Sequence, residues 1–188
     1  MDLSVRSIDF SRVSDKDHVV ISGQRLIDAD FSGRRLKSFS AEGSQFDGCR
    51  FDDAVIESAS LGAGRRVTEY IGCSFSSAKL RMASGRFTRF VDCAFDDSVI
   101  ENWFCFAVEI VGCTFSGRLK KLVFNGSVPL DMQAFTGRKV NQFEDNDFSR
   151  AKLVDVGFRT GIDLTRQRLP DSDDYTYLAD AASTVRRA

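Results

Sequence analysis

Large apolar residues recur every five positions over much of this chain, and a small residue stands two positions before each of them. In the clearest stretch the large residues are Phe46, Phe51, Ile56 and Leu61, and the small ones are Ser44, Cys49, Ala54 and Ala59. An α-helix returns to one face every 3.6 residues and a strand every two, so neither element produces this period. The pattern predicts a coil whose flat sides each point one large and one small side chain inward. We expect its turns to stack about 4.8 Å apart, as neighbouring strands do.

A longer repeat of 20 residues contains the shorter one. Six similar segments are centred on Phe31, Phe51, Phe75, Phe95, Phe115 and Phe148, and a partial copy surrounds Phe10. From Phe31 onward the steps between these rings are 20, 24, 20, 20 and 33 residues. Since four units of five make one period, each turn of the coil has four sides, and the longer steps mark insertions.

These residues give the chain a resemblance to the pentapeptide-repeat family, in which a small residue lies two positions before a central Leu or Phe. The resemblance covers roughly residues 20–165, with gaps. It implies an all-β fold, a right-handed quadrilateral β-helix. We expect this solenoid over residues 1–170, with an N-terminal cap through Leu26, and a short C-terminal α-helix over residues 171–188.

The inward positions of the repeat define a structural core. Its members are Phe31, Cys49, Phe51, Cys73, Phe75, Cys93, Phe95, Cys113, Phe115 and Phe148. Four cysteines at one side of successive turns raise the possibility of a metal site or of disulfides. However, Ala or Ser occupies the same position elsewhere, and the single His lies outside the repeats. We therefore interpret the cysteines as small buried residues in a reducing compartment, with no metal and no cofactor.

One side of the coil departs from the size rule. Its inward pairs are Phe39 with Ala41, Ala59 with Leu61, Ala83 with Gly85, and Trp103 with Cys105. Large and small residues exchange places in the first and last pairs, and we expect Trp103 to fill space left by Gly85 and Cys105. The same register turns Phe104, Phe106 and Phe87 outward, unless a local bulge buries them.

Two insertions interrupt the repeat. The first, near residues 62–66, contains the adjacent Arg65 and Arg66, and the second is placed at residues 120–139 and ends in Arg138 and Lys139. Loops that leave a rigid solenoid often form its binding face, although a surface insertion without function is an equal alternative. These four residues, with Phe104 and Phe106, are the candidate partner-binding residues.

The segment after Pro170 has helical periodicity. Tyr175, Leu178, Ala182 and Val185 share one helical face, and Ser172 precedes the acidic residues expected in a first turn. Such a helix is either a cap on the open end of the coil or a homodimer contact, because an uncovered β edge invites pairing.

Composition excludes several classes of function. The chain has 26 Lys and Arg against 27 Asp and Glu, a formal net charge of -1, which argues against binding nucleic acid by bulk charge. No apolar run is long enough for a membrane span, and the N-terminus lacks signal-peptide character, so we expect a cytoplasmic protein. Neither a nucleophile–base pair nor a glycine-rich phosphate cradle is present, so no catalytic residue is assigned and we expect a protein that is not an enzyme.

Outward charges alternate from turn to turn. Asp52, Asp53 and Glu57 mark one turn, Asp96, Asp97 and Glu101 mark the turn two later, and Lys37, Lys79 and Arg81 belong to the turns between or before them. Cross-strand pairs of opposite charge favour stacking. A ladder that fixes the register explains them most simply; cation binding or mimicry of phosphates is the alternative.

Two functions remain. The first is a protein-binding scaffold that presents its faces and loops to an unidentified protein partner. The second follows only from the resemblance: some pentapeptide-repeat proteins imitate duplex DNA, bind type II topoisomerases such as DNA gyrase, and protect them from inhibitors. The near-neutral charge and the irregular side at Phe39 and Trp103 depart from that group. A continuous acidic stripe on the folded chain would favour mimicry.

Overall fold

The structure, a computed structural model, describes residues 4–5 and 17–175. Its strands are β1 Ser4–Val5, β2 His18–Ser22, β3 Gln24–Ile27, β4 Arg35–Leu36, β5 Ser38–Glu42, β6 Gln45–Asp47, β7 Val55–Ser60, β8 Thr68–Ile71, β9 Lys79–Ser84, β10 Phe87–Val91, β11 Ala94–Glu101, β12 Phe104–Cys105, β13 Ala107–Val111, β14 Thr114–Asn125, β15 Phe143–Glu144, β16 Asn146–Arg159 and β17 Gln167–Arg168. Helix α1 spans Leu130–Thr136, and a 3-10 turn spans Leu164–Arg166.

The strands form a four-sided parallel β-helix, which confirms the predicted fold class. Side one is a seven-stranded parallel sheet in the order β1-β3-β6-β8-β10-β13-β15. The remaining sides belong mainly to a ten-stranded sheet that follows the coil around its corners. Side two is joined at its centre by single bridges from Asp30 to Arg50, from Arg50 to Ser74, and from Ser74 to Ala94.

A column of parallel rings on side two forms the centre of the core. The centroids of Phe31 and Phe51 are 4.4 Å apart, those of Phe51 and Phe75 4.7 Å, and those of Phe75 and Phe95 4.6 Å. The column continues through Phe115 to Phe148 with spacings of 4.8 Å and 4.5 Å. These spacings match the distance between neighbouring strands, so each ring covers the next and excludes water.

The corners explain where Gly and Asp occur. After side one the chain turns through residues with positive φ, among them Asp28, Gly48, Asp92 and Gly112. A Cβ on Gly48 would lie 2.6 Å from Oδ1 of Asp28, and one on Gly112 would lie 2.4 Å from Oδ1 of Asp92. The left-handed conformation favours Gly or Asp at these corners, and a Cβ at Gly48 or Gly112 would displace the carboxylate of the aspartate on the neighbouring turn.

Two element boundaries differ from the expectation. Residues His18–Ile27 already form coil strands, because β2 pairs with β5 and β3 with β6, so they are more than a cap. Likewise β14 stays in the coil to Asn125, where it pairs with Arg159 of β16. The second insertion thus leaves the coil after Asn125 rather than at Lys120. Within the described part of the chain, no helix has the length and apolar character needed to cross a bilayer.

Candidate interaction surface

The two insertions meet on the surface of the coil. The guanidinium carbon of Arg65, in the first insertion, lies 4.7 Å from the ring centroid of Phe135, in helix α1 of the second. Phe135 also contacts Phe87 of β10 edge to face, with centroids 6.2 Å apart. An arginine over an aromatic face is attracted by the ring quadrupole, so this contact fixes the two insertions to one another.

Helix α1 has clear start and stop signals. Pro129 occupies its N-cap position, where a missing N–H costs nothing, and Gly137 ends it in the left-handed conformation at φ 68°. The N–H of Gly137 donates to the carbonyl of Gln133 at 2.9 Å. Only Met132 of the helix is buried, so the helix covers the coil with one face and exposes the other.

A small apolar cluster lies beneath this helix, separate from the core of the coil. It contains Phe87, Ala107, Val128 and Met132, with Phe106 partly buried against them. Phe87 and Phe106 were expected to point outward or to be buried by a bulge. Both leave the coil core as the register requires, but the insertion buries Phe87 and partly covers Phe106, so the ring of Phe87 is not exposed. Phe104 alone of the three is strongly exposed.

The predicted cationic residues separate into two kinds. Arg66 lies along the coil, where its Nη2 donates to Oγ of Ser22 at 3.0 Å and its Nε is 3.8 Å from a Glu42 oxygen. Arg138 connects the second insertion to side one: its Nη2 donates to the carbonyl of Ala107 at 3.1 Å, and its Nε is 3.3 Å from Glu109. Burial lowers the pKa of Arg138. Both side chains therefore hold the insertions in place.

Lys139 and Arg65 differ from them. Lys139 is exposed, while its backbone carbonyl accepts from the N–H of Val128 at 2.9 Å and closes the base of the insertion. Arg65 is exposed and touches Phe135. Of the six candidate residues, Arg65, Arg66, Phe104 and Lys139 are exposed, and Arg66 also makes the contacts with Ser22 and Glu42 along the coil.

The exposed apolar side chains complete the surface. Leu130 is 86% exposed, Phe104 50% and Phe135 44%. We call Arg65, Phe104, Leu130 and Phe135 the insertion surface. Its parts are connected, because Phe104 and Phe106 line one cavity, Phe106 packs against the cluster that contains Phe87, and Phe87 contacts Phe135. Leu130 and Phe135 were not among the predicted residues, although Pro129 and Gly137 enclose a segment of helical length.

Acidic side chains on the coil are interleaved with basic ones. Nζ of Lys37 is 2.8 Å from a Glu57 oxygen on the next turn. Glu101 stands in register between Arg81 and Lys120. On side one, Arg89 lies between Glu69 at 3.5 Å and Glu109 at 3.6 Å. The charges of these columns thus alternate along the coil axis, as a register ladder requires.

The cysteine column consists of free, buried thiols. Sγ of Cys73 donates to the carbonyl of Phe46 at 3.3 Å, and Sγ of Cys93 donates to that of Tyr70 at 3.3 Å. A hydrogen bond with Cys113, together with burial, raises the pKa of Cys93, and burial alone raises that of Cys105. Among the described residues no cluster of His, Cys, Asp and Glu has the arrangement of a metal site. These thiols fill space and donate weak hydrogen bonds.

Part of the proposed dimer contact lies beyond the described residues. Leu178, Ala182 and Val185 fall outside them, and so does the predicted C-terminal helix from residue 176 onward. Tyr175 is described, and its hydroxyl oxygen accepts from the N–H of Leu153 at 2.9 Å. Tyr175, near the start of the predicted helix, therefore reaches strand β16 at the last turns of the coil.

Comparison with known proteins finds similar chains among solved structures. No family model matches the chain, and no curated protein matches it. Similar solved structures include two trypsin-treated variants of QnrB1, described as a plasmid-mediated fluoroquinolone resistance protein. One is 14% identical, covering 81% of this chain and 86% of that chain with a TM-score of 0.28. The other is 17% identical, covering 85% and 92% with a TM-score of 0.28. Full-length QnrB1 is 19% identical, covering 87% and 86% with a TM-score of 0.26.

Proposed function

We propose that this protein is a non-enzymatic scaffold of the pentapeptide-repeat type that binds a protein partner through the insertion surface. The observation that carries the proposal is the contact between Arg65 and Phe135, which joins two insertions that lie far apart in the sequence. The contact holds both insertions in one position on the coil, so their exposed side chains can be presented together to a partner.

The composition of the surface supports this role. Arg and Phe are enriched at protein interfaces, and exposed apolar side chains grouped on one face mark contact sites. Leu130 projects from a helix whose other face is anchored by Met132, and Arg138 fastens the same insertion to side one. A surface held in this way loses little conformational entropy on binding.

Affinity capture from a host lysate tests the proposal with matched variants. Leu130→Asp should abolish capture of the specific partner, because the change places a charge at the most exposed apolar position of α1. Val20→Asp is the control, since Val20 is 72% exposed on strand β2 of the same coil and is not part of the insertion surface. Capture that survives in Leu130→Asp at the wild-type level contradicts the proposal.

The second candidate is a DNA-mimicking protein that binds DNA gyrase or another type II topoisomerase and protects it from inhibitors. The stacked Phe column and the five-residue unit, which carry the family resemblance, favour it. The alternating charges of the columns around Lys37, Arg81 and Arg89 favour the scaffold, because a mimic of duplex DNA presents negative charge continuously. A gyrase supercoiling assay with and without a fluoroquinolone separates the two: protection of gyrase by the purified protein supports mimicry.

A homodimer remains part of the proposal, built either on the segment after Pro170 or on the side around Phe104. Sedimentation velocity of a chain truncated after Pro170, beside a Phe104→Ser variant, identifies the contact as the change that releases monomers. A wild-type chain that sediments as a monomer at high concentration removes both versions.

A further inference from the structure

Side three of the coil has two outward columns of side chains. We use this name for the side on which Leu36, Ile56, Leu80, Ile100 and Leu119 are buried. The residues before and after each of them point outward, because side chains alternate along a strand. Strand pairing aligns these residues from β4 through β7, β9, β11 and β14 to β16.

Positive charge predominates on these two columns. The column that follows the buried residues alternates in charge, since Lys37 is paired with Glu57 and Glu101 stands between Arg81 and Lys120. The column that precedes them consists, turn by turn, of Arg35, Val55, Lys79, Val99, Arg118 and Lys152. Side three thus has seven cations and two carboxylates.

Acidic residues at the corners reduce this excess without removing it. Asp53, Asp97 and Asp155 stand at the corners that border side three, and so does Lys121. With these four residues included, the face keeps an excess of three positive charges. Because the formal net charge of the whole chain is -1, the rest of the protein is negative. The protein therefore has one positive face.

Most cations of side three also lack the carboxylate partners that cations have on sides one and two. On side one, Nε of Arg25 is 2.8 Å from Oδ2 of Asp47, and on side two Nη2 of Arg50 is 2.5 Å from Oδ2 of Asp30. Of the seven side-three cations, Lys37 alone has a carboxylate within ion-pair distance among the described residues. The other six are available to an anionic partner.

A groove of about 400 Å³ lies at the centre of side three. Val55, Lys79 and Val99 line it from one column, and Glu57, Arg81 and Glu101 line it from the other. Both Lys79 and Arg81 are exposed. A small anionic group that enters the groove therefore meets an ammonium and a guanidinium together.

The shape of the face distinguishes between the possible polyanions. The outward side chains of a flat sheet all reach a plane at once, whereas the backbones of duplex DNA wind around a cylinder and its partners insert a helix or a β-ribbon into a groove. Single-stranded nucleic acids are bound by aromatic rings on which the bases stack. None of the outward residues of side three is aromatic. A planar array of anionic headgroups fits this face best.

We propose that side three adsorbs to the surface of a bilayer that contains acidic phospholipids, with headgroups contacting the cations around Lys79. The contact is electrostatic and leaves the protein outside the hydrocarbon region. It extends beyond the proposed scaffold function, because it uses a different face and does not depend on the partner of the insertion surface.

Cosedimentation with lipid vesicles tests this proposal. The wild-type chain should bind vesicles of equal parts phosphatidylcholine and phosphatidylserine and should not bind vesicles of phosphatidylcholine alone. Ionic strength of about 1 M, where the Debye length is about 3 Å, should release it. Equal binding to both vesicles, binding that salt does not weaken, or no binding at all would overturn the proposal.

Matched pairs of variants locate the contact. Each Lys or Arg near an anionic bilayer strengthens adsorption roughly fivefold, so Lys79→Gln with Arg118→Gln should weaken vesicle binding by roughly twentyfold. Arg86→Gln with Lys139→Gln removes the same charge from exposed positions away from side three and should change the affinity by less than about twofold. Thermal unfolding checks that all four substitutions leave the fold intact. Equal losses in the two pairs would contradict the assignment to side three.

Two further measurements separate this contact from other interactions of the protein. Leu130→Asp should bind the mixed vesicles like the wild type, and a loss of binding would instead place the lipid contact on the insertion surface. A DNA duplex of mixed sequence, titrated at the same ionic strength, should bind more weakly than the vesicles. Tighter binding to the duplex that Lys79→Gln with Arg118→Gln abolishes would assign side three to nucleic acid and overturn the proposal.

Discussion

Side two and the side that contains Phe39, Ala59 and Trp103, which we call side four, are built from the same five-residue unit, yet they differ in regularity. On side two every turn places a Phe above a Phe, with centroids 4.4 to 4.8 Å apart from Phe31 to Phe148. On side four the inward residues change size from turn to turn, from Phe39 to Ala59 to Trp103. There the ladder between residues 82–86 and 102–106 is interrupted and a cavity opens.

The difference shows which side chains the repeat buries in the core and which it leaves available for other contacts. Where consecutive turns carry the same inward residue, each side chain stacks on an identical side chain and is buried. No side chain is then left for a partner to contact. Where consecutive turns carry inward residues of different size, Phe104 is half exposed to solvent and the buried Nε1 of Trp103 has no hydrogen-bond partner. Departures from local consistency are where functional sites are expected.

The largest expected effect is a difference in the free energy of unfolding between a variant of side two and a variant of side four. Phe95→Ala removes a fully buried ring from the side-two column and should lower the free energy of unfolding by about 3–5 kcal/mol. Phe104→Ala on side four removes a half-exposed ring and should cost less than about 1 kcal/mol. Urea unfolding of both variants measures the difference, and equal losses would contradict the assignment of the two rings.

The second prediction concerns the small position of side two. Cys93→Leu forces extra carbons into a filled column and should cost about 1–3 kcal/mol. Cys93→Ser keeps both the size and a donor for the carbonyl of Tyr70, so it should cost less. Comparable urea midpoints for the two variants would show that the column tolerates expansion and would break the contrast with side four.

A smaller effect is expected inside side four. Trp103→Phe loses ring area but also removes a buried N–H that has no partner, and such a group costs about 1–3 kcal/mol. The two terms offset, so the free energy of unfolding should change by less than about 1 kcal/mol. A loss as large as that of Phe95→Ala would mean that the indole nitrogen is satisfied in the folded protein.

The smallest effect is electrostatic and belongs to side two. Hydrogen bonds from the Ser32 hydroxyl and backbone N–H lower the pKa of Asp30, with Arg50 adding to the effect. Since the folded pKa lies below the unfolded one, the carboxylate stabilises the fold above its ordinary pKa and loses this contribution as pH falls through the lowered value. Asp30 is solvent-exposed, so Asp30→Asn should cost only a few tenths of a kcal/mol at neutral pH. The difference from wild type should shrink in acid, as urea midpoints at the two pH values will show.

The sequence predicts the regular parts of the molecule well and the insertions poorly. The buried positions of Phe51, Phe75 and Phe95 follow from one spacing rule, because each turn repeats the environment of the last. Trp103 is also buried against Gly85, as predicted from its large size at an inward position beside a glycine. Helix α1 and its exposed Leu130 were not predicted, since residues 126–139 contain no repeat and their conformation depends on contacts with Phe87 and Ala107 from distant turns.

Amide hydrogen exchange tests the contrast between the two sides most directly. Local opening follows missing pairing and low contact density, so exchange reports where the coil departs from its repeat. Amides around Phe75 and Phe95 on side two should exchange only through global unfolding, whereas those of residues 83–86 should exchange faster by at least about tenfold. Uniform protection of both sides would show that the interruption on side four is closed in solution, and it would contradict the division of the coil into a regular side and an irregular side.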